Sequence, residues 1–432
     1  MNFLKYIVSM TAATLLVSCN SDNGGLNRAS DDDGQSSGSS TTHPAVDYSK
    51  GRAMNARLGK GINLGNAWDA ESYWTCGKLG EGDDFVYTIN GEERKITLTS
   101  ADRSYFNNLP LERYNYGCGD NLDNGWSNPI KDEYFAFLKA AGFNSVRIPV
   151  RWQHNSNPVT HEVNPDRLAG VVADVQLAVN AGLAVVVSFH WYNEIMFAAN
   201  HAKTNPDLYE FEKEHYASIW TQVATAFEAA QIPDDMLVYD LLNEPTMKDA
   251  ETLNDVLNVG YTAVRAASPG KTIMFESRQS AKFAEITSLE LPQDGNIIYS
   301  GHYYEPYGFT HQGHSYACKG DAAYSMTASS DLKGYIATIK KLYPDVNGGY
   351  IPLNMGEFGV SGGASANKSS CKSGETPPTD AAKAKWAKGA IAAAEANGIS
   401  WHYWGFVGVG GFEAYDKKNN TWLEGFPDAF GF

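Results

Sequence analysis

Positive charge is scarce in this 432-residue chain. Lys and Arg number 34 against 50 Asp and Glu, which gives a formal net charge of −16. Such a chain would repel a phosphate backbone, so we expect no nucleic-acid partner. Charged residues of either sign form only 19% of the sequence, whereas 43% of it is hydrophobic. The chain therefore has ample material for a large core, and its 10 Trp and 24 Tyr include candidates for flat binding platforms.

Long apolar runs are also missing after residue 19, where no stretch approaches the roughly 20 residues that span a bilayer. In residues 1–19, Lys5 precedes an apolar stretch that ends in Leu-Val-Ser-Cys at Cys19. This tetrapeptide resembles a bacterial lipobox, whose cysteine is lipidated and becomes the new N-terminus. An ordinary secretory signal and a short membrane anchor are the alternatives. We expect an extracytoplasmic protein, held at the bacterial cell surface or in the periplasm through a lipid on Cys19.

Cysteine is rare, and only four cysteines follow Cys19. An even number in an oxidising compartment predicts two disulfides. The simplest pairing joins Cys76 to Cys118 and Cys318 to Cys371, because each pair lies in loop-like stretches rich in Gly and Ser. A zinc site built from all four thiolates is the alternative, although the chain contains no C-x-x-C pair.

The composition divides the chain into three parts. Residues 20–49 are rich in Ser, Gly and Asp and predict a flexible linker between a signal peptide, 1–19, and a catalytic domain, 50–432. Within that domain, residues 70–128 form a polar, Gly-rich insertion. Its stretches 85–92 and 95–98 predict a β-hairpin that turns at Asn90-Gly91. A second long loop, 361–380, carries Cys371.

Strand-like and helix-like segments alternate from residue 58 onward. Candidate strands begin near residues 60, 145, 183, 237, 272, 297, 351 and 399, and amphipathic segments separate most of them. The apolar run at 183–187 is typical of a strand that is buried on both faces. Eight such units predict an α/β protein of the (β/α)8 TIM-barrel class with insertions after strands 1 and 7. Its active site would lie at the C-terminal ends of the strands.

Polar side chains near those strand ends should therefore converge. Glu244 and Glu357 follow strands four and seven, which face each other across an eight-stranded barrel. Two carboxyl groups that flank a pocket are what glycoside hydrolysis requires, one as proton donor and one as nucleophile or water activator. A lone glutamate would more simply be a surface charge. Other glutamates near strand ends do not match this pattern: Glu194, Glu276, Glu305 and Glu413.

Over about residues 58–432, this ordered set of motifs resembles a glycoside hydrolase of family 5, a family with many β-1,4-glucanases. The motifs are Asn-Glu-Pro at 243–245 and Gly-Glu-Phe-Gly at 356–359, with Arg, His and Tyr at neighbouring strand ends. The resemblance implies that Glu244 is the general acid/base and Glu357 the nucleophile. Arg147 and the Tyr304 hydroxyl would keep Glu357 ionised.

The resemblance also assigns residues to the substrate. Asn243 would hydrogen-bond the sugar 2-hydroxyl, and His190 and His302 would line the cleavage subsite. For each histidine, simple packing in the barrel rim is the alternative. Trp404 would be a sugar platform after strand eight. The further substrate-binding candidates are Asn63, Trp68 and Trp191.

We therefore expect a retaining endo-β-1,4-glucanase that acts on cellulose or mixed-linkage β-glucan, as a monomer and without a cofactor or metal. The insertion at 70–128 could wall one end of the cleft, which leaves exo-action open. A β-mannanase or xyloglucanase of the same family is the near alternative. A non-catalytic surface glycan-binding protein is the distant one. A metal-dependent barrel hydrolase would need clustered ligands, and no H-x-H motif follows strand one.

Overall fold

The computed structural model describes residues 43–70, 128–157, 160–312, 326–362 and 377–432, together with the backbone of 84–89 and 92–97. The predicted signal peptide with Cys19, most of the predicted linker and most of both insertions lie outside the described residues. The four disulfide candidates lie there as well: Cys76, Cys118, Cys318 and Cys371. The lipidation and disulfide interpretations therefore stay predictions.

Among the described residues, eight parallel strands close into a barrel, and four further strands form two hairpins. In chain order the strands are β1 (Lys60–Asn63), β2 (Asp84–Ile89), β3 (Glu92–Thr97), β4 (Ser145–Val150), β5 (Ala184–Phe189), β6 (Leu237–Asp240), β7 (Thr272–Glu276), β8 (Ile297–Tyr303), β9 (Leu353–Phe358), β10 (Ser400–Tyr403), β11 (Tyr415–Asp416) and β12 (Thr421–Trp422). The barrel runs from β4 through β10 and closes when β1 pairs with both β10 and β4. Its strands begin within two residues of the eight predicted positions. The (β/α)8 prediction is confirmed.

Helices follow most barrel strands. They are α1 (Ser49–Leu58), α2 (Asp132–Ala140), α3 (Pro165–Asn180), α4 (Asn193–Asn200), α5 (Pro206–Ala229), α6 (Ala250–Ala267), α7 (Arg278–Ala281), α8 (Tyr307–Thr310), α9 (Ala328–Leu342), α10 (Asp380–Glu395) and α11 (Phe426–Phe430). Two 3-10 turns lie at Gln153–Asn155 and Phe283–Ser288. The segment α7 is a left-handed turn rather than a regular helix, because Gln279, Ser280 and Ala281 all have positive φ.

Local sequence signals account for the unit α3–β5, which is typical of the barrel. The Asn164 side chain caps α3 by accepting from the backbone N–H groups of Asp166 and Arg167, and Pro165 occupies the first turn. The chain then leaves the helix through Gly182 at φ +82°, a conformation that glycine adopts without a Cβ clash. Every residue of β5 is buried, as its apolar run predicts for a strand covered on both faces.

The helix α1 closes the N-terminal end of the barrel, and no periodic pattern of apolar residues predicted it. Met54 and Leu58 pack against the first residues of the strands, in a cluster with Ala184, Val186, Val238, Met274 and Ile298. Ahead of α1, Val46 is bridged to Asp345 and Tyr48 is only 1% exposed. The folded part of the chain therefore begins before residue 50, where the predicted linker was expected to end.

Both small hairpins lie outside the barrel wall. Strands β2 and β3 pair antiparallel from Asp84 opposite Thr97 to Ile89 opposite Glu92, which confirms the hairpin predicted within the first insertion. Strands β11 and β12 pair near the C-terminus, where Trp422 packs beside Phe137 and Phe406. Within the described ranges, no helix combines the length and apolar character that crossing a membrane requires.

Candidate active site

A cavity of about 580 Å³ opens at the C-terminal ends of the barrel strands. Glu244 and Glu357 both line it, and so do His190 and His302. Aromatic rings form much of the remaining wall: Trp191, Tyr304, Tyr307, Tyr335, Trp404 and Phe412. The prediction that strand-end residues converge on one pocket is thus met for both glutamates.

The two glutamates approach each other closely inside this cavity. One oxygen of each carboxylate and a ring nitrogen of His302 all lie within 4.8 Å of one another. Glu357 is only 4% exposed, whereas the Glu244 side chain is 26% exposed. His302 Nδ1 lies 2.9 Å from Glu244 Oε1 and 3.7 Å from Glu357 Oε2. One carboxyl group is therefore enclosed by protein, and the other is open to solvent and substrate.

Arg147 holds the floor of the site together. Its guanidinium is fully buried, and Nη1 donates to Glu357 Oε1 at 2.7 Å. Its Nη2 donates to Asn243 Oδ1 at 2.6 Å and to Asp240 Oδ2 at 3.0 Å. Burial alone would lower the pKa of Arg147, but the negative charges of Glu357, Asp240 and Glu276 raise it. Arg147 is therefore a fixed cation that orients Glu357 and Asn243 together.

Tyr304 contacts Glu357 from the opposite side. Its hydroxyl donates to Glu357 Oε2 at 3.1 Å. Burial and the negative charge of Glu357 raise the pKa of Tyr304 well above the ordinary range, so the hydroxyl keeps the proton that it donates. Burial also raises the pKa of Glu357, and the positive charges of His302 and Arg147 oppose that rise. The two donors, Arg147 and Tyr304, stabilise the carboxylate form of Glu357.

The chain is also similar to known proteins. Residues 107–408, well over half of the chain, match the family described as cellulase (glycosyl hydrolase family 5). The chain belongs to glycosyl hydrolase family 5. The sequence is also similar to endoglucanase H of Acetivibrio thermocellus, with 26% identity over 258 residues, or 56% of this chain and 26% of the relative. It is likewise similar to a xyloglucan-specific endo-β-1,4-glucanase of Bacteroides ovatus, with 26% identity over 54% of this chain and 49% of the relative.

Solved structures show the same likeness. Structures of Thermotoga maritima Cel5A with cellobiose and with mannotriose are 25% identical to this chain at a TM-score of 0.62. They match 88% of this chain and 99% of their own. The chain thus spans nearly the whole of these barrels. By contrast, it spans only about a quarter and about half of the two curated relatives.

In this family 5 barrel, His190 and Trp404 form one wall of the cavity. Their rings lie parallel with centroids 5.6 Å apart. Burial, together with the nearby positive charges of Arg147 and Arg151, lowers the pKa of His190 well below its ordinary value, so the ring is neutral. Trp191 follows His190 and also lines the cavity, with the Arg151 guanidinium 4.8 Å from its ring centre. Both tryptophans lie where a sugar ring could stack.

Asn63 does not lie where the sequence predicted. It is fully buried below the cavity, where Oδ1 accepts from Arg147 Nη1 at 3.0 Å. Its Nδ2 donates to the backbone carbonyls of Gly356 and His402, each at 3.0 Å. The prediction of a substrate contact is wrong, because Asn63 still belongs to β1 and lies one layer below the mouth. Its amide positions Arg147 instead.

Trp68 was also predicted to bind substrate, and that prediction is wrong as well. Its indole N–H donates to Asp174 on α3 at 2.7 Å, and the Arg167 guanidinium lies 5.0 Å from its ring centre. The reason is a tight turn after β1, in which the Asp69 carboxylate accepts the backbone N–H groups of Asn66 and Ala67. This turn directs Trp68 toward the outer helix and away from the cavity.

Two buried acids belong to the site although the sequence predicted no role for them: Asp240 was not a candidate, and Glu276 did not match the catalytic pattern. Asp240 ends β6 and Glu276 ends β7, and neither side chain is exposed. Asp240 contacts Arg147, while Glu276 contacts Arg147, His302 and the backbone of Glu244. An acid at the end of an apolar strand was the signal that could have indicated them, because a charge is buried at such a position only when it has a charged or hydrogen-bonding partner.

A bound metal would need free lone pairs at this site. Of the described residues, Glu244, His302 and Glu357 form the group close enough to share an ion. However, both ring nitrogens of His302 already face carboxylate oxygens, Nδ1 toward Glu244 and Nε2 toward Glu276. A ring that donates from both nitrogens has no lone pair for a cation. The arrangement fits proton transfer better than metal binding.

Proposed function

We propose that the protein is a retaining endo-β-1,4-glucanase that hydrolyses cellulose or mixed-linkage β-glucan. The carrying observation is the approach of the Glu244 and Glu357 carboxylates to within 4.8 Å at the floor of an aromatic-walled cavity. Retaining glycosidases place their two carboxyl groups about 5–5.5 Å apart, whereas inverting enzymes leave about 6.5–9.5 Å for a water. The spacing supports attack by a carboxylate on the sugar.

In the first step, Glu357 Oε attacks the anomeric carbon while Glu244 gives its proton to the departing glycosidic oxygen. The carbon–oxygen bond to the leaving sugar breaks, and a covalent ester to Glu357 forms. In the second step, Glu244 takes a proton from water, whose oxygen displaces Glu357. Arg147 and Tyr304 stabilise the negative charge that re-forms on the Glu357 carboxylate when the ester breaks. Because Arg147 occupies the carbonyl oxygen of Asn243, the amide NH2 is the end that can donate to the sugar 2-hydroxyl.

The two roles can be tested with azide. Glu357→Ala and Glu244→Ala should each lower turnover of an aryl β-cellobioside by about 10²–10⁴-fold. Azide should restore the first variant with an α-glycosyl azide product, since it replaces the nucleophile. It should restore the second with a β-glycosyl azide, since it attacks the covalent intermediate. Exchanged anomers would reverse the roles, and turnover within tenfold of wild type would refute the site.

Glu305→Gln is the matched control for these variants. Glu305 lines the same cavity but is exposed, and its carboxylate accepts only the backbone N–H of Tyr307 among the contacts described. It should keep near wild-type rates, which would show that loss of any carboxylate near the mouth is not enough.

The polysaccharide is the second part of the proposal. The Bacteroides ovatus relative is named for xyloglucan, and Thermotoga maritima Cel5A was crystallised with both cellobiose and mannotriose. Mannan and xyloglucan are therefore the alternative substrates. Initial rates on carboxymethylcellulose, lichenan, mannan and xyloglucan decide between them. Binding without release of reducing sugar would instead favour a non-catalytic glycan-binding protein.

We further propose that Cys19 carries a lipid that holds the enzyme outside the cytoplasm. The Leu-Val-Ser-Cys sequence supports this proposal. The linker predicted for residues 20–49 would separate such an anchor from the catalytic domain and let that domain reach a polymer. Cys19→Ser should abolish incorporation of labelled palmitate and move activity from the membrane to the soluble fraction. Unchanged fractionation would refute the anchor.

A further inference from the structure

Glu276 is buried beneath the cavity and contacts three residues of the site: Glu244, His302 and Arg147. Its Oε2 accepts the backbone N–H of Glu244 at 2.7 Å. Its Oε1 lies 3.1 Å from His302 Nε2 and 3.5 Å from Arg147 Nη2. The side chain has no exposed surface and does not line the cavity, so it cannot touch a sugar.

The ring of His302 is held between two carboxylates. Nδ1 faces Glu244 Oε1 at 2.9 Å, and Nε2 faces Glu276 Oε1 at 3.1 Å. A neutral imidazole donates from only one nitrogen, so both nitrogens donate only in the imidazolium form, in which Glu244 accepts on Oε1 and can hold its own proton on Oε2. Glu276 is itself kept ionised by the adjacent Arg147. The geometry therefore makes Glu276 the counter-ion of His302.

Glu276 also holds the backbone of Glu244 in a costly conformation. Glu244 has φ +49°, in the left-handed region that a residue with a side chain avoids at roughly 1–2 kcal/mol. The hydrogen bond from its N–H to a buried carboxylate is of the stronger, charge-assisted kind. This bond fixes the direction in which the Glu244 side chain leaves the backbone and enters the cavity.

We propose that Glu276 is a positioning residue for the acid/base: it fixes the Glu244 backbone and keeps His302 as the cation that donates to the Glu244 carboxylate. This inference rests on the proposed role of Glu244 as proton donor. When Glu244 gives up its proton, the N–H of cationic His302 stabilises the carboxylate that forms. Without Glu276, that stabilisation weakens, and bonds whose leaving group needs a proton are cleaved more slowly.

The surrounding charges support this assignment. Burial alone would lower the pKa of His302, but the negative charges of Glu276 and Glu357 and the hydrogen bonds to Glu244 and Glu276 raise it well above its ordinary value. The groups that face this pair from the neighbouring strand ends are Arg147, His190, Asp240, Glu244, Tyr304 and Glu357. Of these, Arg147 is a cation that acts against a charge on His302, whereas His190 is neutral, so the carboxylates hold that charge, with Glu276 the largest contributor.

The test compares Glu276→Gln on two substrates. On lichenan, cleavage needs a proton from Glu244, and kcat/KM should fall at least tenfold. On 2,4-dinitrophenyl β-cellobioside the leaving group needs no proton, and kcat/KM should stay within threefold of wild type. Asp240→Asn is the matched control, because Asp240 is the other buried carboxylate on Arg147 and has no described bond to His302 or Glu244. It should alter both substrates by the same factor.

The pH dependence of kcat/KM separates the proposed role from a merely structural one, because loss of structural support would not shift the alkaline limb. In Glu276→Gln the alkaline limb of kcat/KM should shift to lower pH by about one unit or more, because His302 loses its proton sooner. Asp240→Asn should leave that limb in place. Equal loss on both substrates with an unmoved limb would show that Glu276 only supports the fold, and the inference would be overturned.

A measurement on the wild-type protein decides the matter if the variant does not fold. With ¹⁵N-labelled histidine, the His302 ring should show both N–H groups at pH 8, assigned by their loss in His302→Gln. A neutral His302 at that pH refutes the inference. If wild-type protein releases sugar from no β-glucan and from no activated cellobioside, the proposed function is wrong, and this inference, which rests on it, is wrong as well. Normal wild-type activity with an unchanged substrate ratio in Glu276→Gln overturns the inference alone.

Discussion

Replacing Asp240 with asparagine should stabilise the protein at pH 8 and leave its stability nearly unchanged at pH 4. Asp240 is fully buried, and burial together with the negative charge of Glu276 raises its pKa from 3.8 to about 7, against the opposing charge of Arg147. A folded-state pKa above the unfolded value means that the native state binds more protons. Stability is therefore lost as the pH rises from about 4 through about 7. Asparagine imitates the protonated acid and removes this loss.

The size of the effect follows from the shift. About three pKa units correspond to roughly 4 kcal/mol at a pH above both values, at about 1.36 kcal/mol per unit. With an unfolding entropy of about 2.1 cal/mol/K per residue, the roughly 300 residues that the structure describes would gain about 6 °C in Tm. The substituted amide can keep the contacts, since its oxygen can accept from Arg147 and its NH2 can donate to Ser188, whose hydroxyl lies on the same guanidinium.

The assay is thermal unfolding of wild type and Asp240→Asn at each pH from 4 to 8. Glu276→Gln provides a control of opposite sign. Burial raises the pKa of Glu276, but the charges of His302 and Arg147 lower it overall, so its stabilisation exists above the unfolded pKa and disappears at acid pH. Glu276→Gln should therefore cost stability at pH 8. If Asp240→Asn instead lowers Tm by the same amount at every pH, Asp240 is ionised throughout and the reasoning is refuted.

Three further predictions concern single side chains. Tyr304→Phe removes a hydrogen bond to the charged Glu357, worth about 1.5–3 kcal/mol, so kcat/KM on a soluble glucan should fall about 10–150-fold; a change under threefold would contradict that contact. Trp404→Ala should raise KM with little loss of Tm, whereas Trp68→Phe should lower Tm with KM unchanged; the reverse result would contradict their placement. Leu58→Ala should cost about 2–5 kcal/mol of stability in chemical unfolding while kcat stays unchanged, since α1 lies far from the cavity.

The barrel was predictable because its signal is repeated. Each buried strand leaves an apolar run, such as the fully buried β5, and eight runs separated by helical segments leave few other architectures. The helix α1 was not predictable in the same way. Its buried residues, Gly51, Met54, Asn55 and Leu58, lie along one side, but glycine and asparagine make up half of that side, so no apolar stripe marks the helix in the sequence.

The positions of Glu244 and Glu357 were predictable for a similar reason. Glu244 follows β6 and Glu357 lies in the last two residues of β9, and parallel strands bring their C-terminal ends to one mouth whatever the loops do. Asn63 and Trp68 flank the same kind of strand end, but sequence position does not give side-chain direction. Asn63 is buried because β1 extends through it, and Trp68 points outward because Asp69 closes the turn after β1.

The sequence by itself determined which residues end the strands, and hence that two glutamates would meet at one mouth with an arginine, a tyrosine and histidines nearby. Only the tertiary structure decided which of these charged side chains contact one another. Arg147 bonds Glu357 and Asp240, and His302 lies between Glu244 and Glu276, because barrel closure brings residues from β4, β6, β7, β8 and β9 together. The sequence pattern determines the position of each residue along its strand. Register, burial and the neighbouring charges determine which groups its side chain contacts and whether it carries a proton.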